Sequence, residues 1–180
     1  MDDVRVSRFM SLVLRHEPAK AGITLDAKGW ADLDTLCAVT KRRFGAGPDD
    51  ISRIVAKSDK QRFVIEGRRI RANQGHSVKV DLDLEPAAPP SVLYHGTIEE
   101  VAGAIALKGL IRGNRHHVHL SADIETAGRV AHRRRKPWMI YKIDALAMAE
   151  AGHVFYCSDN DVWLTGHVPP SFLTVLEDPA

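Results

Sequence analysis

The chain has 180 residues, enough for one ordinary domain or for two small ones sharing an interface. Its apolar and charged fractions are those of a soluble globular protein and exclude both a disordered chain and a fibrous repeat. The net charge is only +2, with 16 Lys+Arg against 13 Asp+Glu in residues 1–85 and 9 against 10 in the remainder, too slight an excess to establish nucleic-acid binding. Cys37 and Cys157 lie far apart in no metal-like or redox-like spacing, so a reducing, cytoplasmic setting is expected. The opening Met1-Asp2-Asp3-Val4-Arg5 has no apolar stretch, and no apolar run approaches the ~20 residues a membrane span needs.

In chain order, Val6, Phe9, Met10, Val13 and Leu14 recur at helical spacing and predict a helix that Pro18 stops. Arg15 and His16 then fall on its last turn. A second helix is expected over residues 33–40 with Asp32 as cap, and a third over 48–56 with proline tolerated in its first turn. Strands at 62–66 and 69–72 turn at Gly67, and three helices with a hairpin read as a winged-helix-like module. The acidic alternation of residues 81–85 then runs into Pro86-Ala87-Ala88-Pro89-Pro90, which cannot form a helix interior or a central strand. It reads as a linker between lobes at 1–85 and 91–180.

Beyond the linker the elements are short and strand-rich, giving an α+β class. Strands are expected at 92–95, 117–120, 138–143, 153–157, 162–164 and 173–176, with helices at 98–107 and 124–132. Nothing here resembles the glycine-rich opening turn of a doubly wound dinucleotide-binding fold.

Five clusters could carry chemistry. Arg15-His16 at a helix end suits phosphate binding and proton transfer, although the helix dipole alone favours such residues there. Arg71-Ala72-Asn73-Gln74-Gly75-His76-Ser77 offers many donors to an anion or an RNA backbone, and otherwise is a polar turn. His95-Gly96-Thr97 and His117-Val118-His119-Leu120-Ser121 fit a nucleotide pocket, a metal site without an obvious carboxylate or thiolate ligand, or a strand with no role. Arg133-Arg134-Arg135-Lys136 is by itself a solvated basic run of which only one or two arginines can face a site. Ser158-Asp159-Asn160-Asp161 reads as a tight turn and Trp163 as core.

Taken in order, these stretches resemble the RNA 2′-phosphotransferase family: Leu14-Arg15-His16, Asp59-Lys60-Gln61-Arg62-Phe63, Ile70 to Ser77, Tyr94-His95-Gly96-Thr97, His117 to Ser121, Thr126-Ala127 with Arg133 and Pro137, and Ser158-Asp159-Asn160 with Val162-Trp163-Leu164 and Val168-Pro169-Pro170. The resemblance spans nearly the whole chain. It implies a winged-helix-like RNA-binding lobe followed by an ADP-ribosyltransferase-like lobe that binds NAD. It implies catalytic Arg15, His16, Arg71 and Arg133, and an NAD pocket drawing on His95, Gly96, Thr97, His119, Leu120, Ser121, Thr126 and Asn160, with no metal.

The implied reaction moves an internal 2′-phosphate of tRNA-like RNA onto NAD, through a 2′-phospho-ADP-ribosylated RNA, to give 2′-hydroxyl RNA, nicotinamide and ADP-ribose 1″,2″-cyclic phosphate. In some organisms tRNA splicing leaves such phosphates. A monomer acting in the cytoplasm, away from membranes, is expected. The rival reading is ADP-ribosyl transfer to another acceptor such as a nucleic-acid terminal phosphate; a non-catalytic RNA-binding module would leave His95-Gly96-Thr97 and Arg133 idle. The sequence departs from the family's glycines at Val130-Ala131, Arg134-Arg135 and Asp161.

Overall fold

A computed structural model describes residues 2–58, 61–133 and 135–176; Asp59 and Lys60 of one matching stretch, and Arg134 of the basic run, lie outside them. The chain divides into two compact units, Met1–Asp83 and Leu84–Ala180. Both mix helices with antiparallel sheet, so the class is α+β.

The first unit opens with α1 (Asp3–Arg15), whose N-cap Asp2 accepts hydrogen bonds from the amides of Val4 and Arg5 at 3.0 and 3.2 Å. Such a cap stabilises a helix by about 1 kcal/mol. Its apolar stripe is the expected one: Val6, Phe9, Met10, Val13 and Leu14 are all buried. A 3-10 turn at Pro18–Ala21 follows, then β1 (Ala31–Asp32), α2 (Leu33–Phe44) and α3 (Pro48–Ala56). Asp32 caps α2 through the Thr35 amide at 2.7 Å, and Gly45 closes it at φ +73°. The hairpin β2 (Phe63–Glu66) and β3 (Arg69–Ala72) takes β1 as a third strand, in the order β1-β3-β2. No strand is expected at β1 from two residues of pattern; it exists because Ala31 and Asp32 pair with Ile70 and Arg69.

In the second unit β4 (Val92–Ile98) leads through a 3-10 turn into α4 (Ala102–Lys108), then β5 (Leu110–Ile111), β6 (Val118–Leu120) and α5 (Ile124–His132). Next come β7 (Trp138–Asp144), α6 (Ala145–Glu150), β8 (Phe155–Cys157), β9 (Trp163–Thr165), β10 (His167–Val168) and β11 (Leu173–Leu176). Two three-stranded sheets, β11-β7-β4 and β6-β9-β8, and the pair β10-β5 are all antiparallel. Leu93, Ile143, Met148, Phe155 and Val168 centre the core.

Several boundaries differ from the expected ones: α2 runs on to Phe44 rather than ending at residue 40, and β8 begins at Phe155 rather than at residue 153. The helix expected from residue 98 starts at Ala102, because β4 runs on to Ile98 opposite Trp138. Pro86 and Ala87, which composition marks as linker, lie along β8: Pro86 bridges Tyr156, and the Ala87 amide donates to the Phe155 carbonyl at 2.8 Å. A proline at a sheet edge is unobjectionable, since no ladder donor is required of it. Among the described residues no helix is long and apolar enough to cross a membrane.

Candidate active site

The last turn of α1 carries Arg15 and His16, and the segment after β3 wraps it. A helix end leaves carbonyls without intrahelical partners; here the amides of Ser77 and Val78 donate to the Arg15 carbonyl at 2.9 and 3.3 Å. The Ser77 hydroxyl is hydrogen-bonded to His16 Nδ1 at 2.9 Å, which sets the ring's orientation. Arg15 is held equally firmly. Its Nη2 donates to the Arg62 carbonyl at 3.3 Å, and its guanidinium lies 5.8 Å from the Phe63 ring centre. Gly75 turns the chain past Arg15 at φ +88°, a left-handed backbone conformation that favours glycine.

Asn73, 6% exposed, ties this to the hairpin. Its amide donates to the Arg62 carbonyl at 3.1 Å and its side chain to the Gln61 carbonyl at 2.7 Å. The run from Arg71 to Ser77 is therefore more than a polar turn: it braces the Arg15–His16 end of α1.

Arg71 is placed differently. Ile70 and Ala72 point into the core, so alternation sends Arg69 and Arg71 to the other face of β3. Both guanidiniums lie over Trp30, at 4.8 and 4.7 Å from the ring centre. With Asp26, Ala27, Lys28 and Asp83 they line a cavity of about 580 Å³ in the first unit. Trp30 and Arg69 escape a sequence reading. The signal that could have found them is a Gly-Trp turn followed by arginines two apart on a strand.

In the second unit two distant motifs are brought together. Tyr94 and Ser121 exchange backbone hydrogen bonds at 2.9 and 2.8 Å, and His95 Nδ1–H donates to the His119 carbonyl at 2.9 Å. Burial holds the His95 pKa below the ordinary histidine value, partly opposed by that hydrogen bond and helped by Arg115. With Nδ1 protonated and the ring neutral, Nε2 is an acceptor. Thr97, two residues along β4, shares the His95 face by strand alternation.

His117 instead packs on Tyr156, ring centres 5.2 Å apart, and burial, His116 and Arg112 lower its pKa. Among the described residues no group of three or more His, Cys, Asp or Glu is placed to hold a metal ion.

The remaining expected NAD contacts have specific surroundings. Gly96 lets α5 approach β4: a Cβ there would come within 1.9 Å of the Ala127 carbonyl oxygen. Leu120 is core, 2% exposed. The Thr126 hydroxyl accepts from Arg129 at 2.9 Å, and Asn160 Oδ1 accepts from the Ser158 hydroxyl at 2.8 Å. Ser158 also bonds Val162 across the turn, and Trp163 packs partly buried on the core.

Arg133 is the exposed C-cap of α5, and Lys136 is paired with Glu100 at 2.6 Å. Arg135 and Asp161, which stand where the resembled family often has glycine, both adopt left-handed backbone, at φ +51° and +57°. The glycine conformation is thus retained without the glycine.

The family model described as RNA 2′-phosphotransferase, Tpt1 / KptA family, matches residues 1–167. A protein of Hahella chejuensis named "Probable RNA 2'-phosphotransferase" is 52% identical over 174 residues, 95% of this chain and 93% of its own length. Proteins of the same name from Trichormus variabilis and Streptomyces coelicolor are 47% identical over 176 residues and 48% over 171, covering 96% and 94% of this chain and 96% and 93% of their own lengths. With a match that runs from the first residue to the start of β10, and relatives aligned over nearly their whole length, the chain belongs to the RNA 2′-phosphotransferase family.

Proposed function

We propose that this chain removes an internal 2′-phosphate from RNA with NAD consumed as co-substrate, releasing 2′-hydroxyl RNA, nicotinamide and ADP-ribose 1″,2″-cyclic phosphate. The observation that carries the reading is the braced pair at the end of α1, a fixed guanidinium beside an oriented imidazole. Of the lobes, the first is read as winged-helix-like and RNA-binding, the second as ADP-ribosyltransferase-like. NAD supplies the ribose that accepts the phosphate.

The protein's own residues have three tasks. Phosphate is a multivalent anion, and bringing it to a cofactor that itself carries a pyrophosphate demands fixed cations, preferably planar, bidentate ones. Arg15, Arg71 and Arg133 fill that role. Arg15 is already oriented by the Arg62 carbonyl and Phe63, and Arg71 by Trp30, so little ordering remains for the substrate to impose. A proton must reach the RNA 2′-oxygen as the phosphate leaves it and must be taken from the attacking hydroxyl. Histidine titrates in the right range, and His16 is the carrier. Ser77 holds its ring in one orientation.

The residues of β4 and β6 fit the cofactor. A neutral, half-buried imidazole with an acceptor nitrogen, the Thr97 hydroxyl beside it and the Ser121 hydroxyl across the Tyr94 bridge suit ribose and amide groups. Gly96 and Leu120 contribute through their backbone, since one has no side chain and the other's is in the core. His119, Thr126 and Asn160 complete the set.

The test is NAD binding followed by thermal shift, since a ligand bound only to the folded state raises the unfolding midpoint with concentration. A rise with NAD that His95→Ala and Ser121→Trp abolish supports the pocket; a rise unchanged in both variants would put NAD elsewhere.

A further inference from the structure

Arg5, Arg8, Leu12 and Arg15 stand at spacings of three, four and three along α1, so they share one stripe of the helix. The stripe lies away from the buried Val6, Met10 and Val13. Arg5 and Arg8 are exposed, as are Lys41, Arg42 and Arg43 in the last turn of α2. Aromatic rings join the two helices here. Phe9 of α1 and Phe44 of α2 meet edge-on at 5.3 Å. The Arg43 guanidinium covers both rings, at 5.0 and 5.7 Å, and that of Arg5 reaches Phe44 at 6.0 Å.

No carboxylate among the described residues lies within 4.0 Å of these five cations, whereas Arg68, Arg69 and Arg129 each have one and Arg53 has two. The carboxylates at the start of α1 are engaged elsewhere: Asp2 caps the helix and Asp3 pairs with Arg53. A helix dipole accounts for Lys41, Arg42 and Arg43, which sit at a C-terminus. It does not account for Arg5, in the first turn of α1 where cations are disfavoured, or for Arg8, in the middle of the helix. Uncompensated like charge held in place by aromatic rings is an anion site in waiting.

We propose that this stripe is a phosphate track that carries the RNA backbone away from the 2′-phosphate, from Arg15 past Arg8 to Arg5 and Arg43. This rests on the reading that Arg15 holds the 2′-phosphate. Ten residues of helix separate Arg5 from Arg15, about 15 Å at 1.5 Å per residue, enough to follow a strand over more than one nucleotide. Recognition is of the backbone, with no sequence preference, because guanidiniums stacked on rings present their edges to phosphate oxygens.

The experiment compares the intact wild-type chain with Arg5→Gln/Arg43→Gln and with Arg5→Glu/Arg43→Glu. The substrates are a trinucleotide and a long RNA that share one internal 2′-phosphate, with binding of the long RNA measured directly by fluorescence anisotropy. Losing two phosphate contacts should weaken long-RNA binding roughly tenfold and flatten its salt dependence by about 1.4 in the log–log slope. KM for the long RNA should rise in step, with kcat and all trinucleotide constants unchanged, and the glutamate pair should be worse than the glutamine pair. Unaltered long-RNA binding, or equal losses on both substrates, would overturn the track and leave the face to another acidic partner or to solvent. A wild type that binds long RNA through these arginines yet releases no phosphate from either substrate would keep the track and sink the proposed activity.

Discussion

Single atoms decide several of these assignments. The Gly96 Cβ position coincides with the Ala127 carbonyl, a backbone atom that cannot rotate away. Gly96→Ala should therefore lower stability by about 3 kcal/mol, seen as a fall in the denaturant midpoint, and activity should fall with it. An unchanged midpoint would mean that α5 is not seated on β4 as described. The basic run makes a sharper contrast. Arg135 sits at φ +51°, so Arg135→Gly should be neutral or stabilising by up to about 1 kcal/mol and keep turnover. Arg133→Ala should cost at least about a hundredfold in kcat/KM, and Arg135→Ala should only weaken RNA binding. Equal losses at the two positions would contradict the placement of Arg133 in the site.

His95 also makes a pH prediction. Its folded pKa lies below its ordinary value of 6.5, so the fold binds fewer protons there than the unfolded chain. That contribution to stability is complete above about pH 6.5 and is lost as pH falls through that value toward the folded pKa. The thermal midpoint should drop between pH 7.5 and 5.5, and His95→Asn, which retains a donor for the His119 carbonyl, should flatten the drop. An equally steep profile in the variant would assign the titration elsewhere, for example to His117, whose pKa burial also lowers.

Among the elements, the segment from Asn73 to Val78 has the largest consequence for its size. It carries no regular structure, yet it satisfies the end of α1 and orients His16. Ser77→Ala should lower kcat about tenfold or more while leaving KM nearly unchanged, and should alter the pH profile of kcat, because the ring loses its orienting partner. A shift in KM alone would make Ser77 a binding residue.

How far the sequence revealed these elements follows from their physics. α1 was legible because five apolar residues at helical spacing all turned out buried, and β2–β3 because the turn at Gly67 has positive φ. β1, β5 and β10 were not legible: two residues carry no periodicity, and their pairing is set by partners distant in the chain. α6 went unread although Asp144 caps it through the Ala147 amide at 3.0 Å, an element too short for a stripe to stand out. The pairing of the His95 and His119 segments, joined through the His119 carbonyl and the Tyr94–Ser121 bridge, was legible only as a set of residue types. The stacking of Arg69 and Arg71 on Trp30 was not, since alternation gives a face without saying what waits there.

At the scale of the whole molecule, the residues proposed for catalysis and for NAD binding fall in different units: Arg15, His16 and Arg71 in the first, Arg133 and the proposed NAD contacts in the second. Each unit has its own core, and neither contains the full proposed set of catalytic residues. The resemblance was legible at this level because its stretches occur in order along the chain, and the family match over residues 1–167 covers nearly all of both units. The most direct measurement follows a single label. An RNA with one internal 2′-phosphate carrying radioactive phosphorus is incubated with the purified chain in EDTA, with and without NAD, and the products are separated. The account predicts that the label leaves the RNA only when NAD is present and is recovered in ADP-ribose 1″,2″-cyclic phosphate. Label released without NAD as inorganic phosphate, or retained on the RNA with NAD, would contradict it.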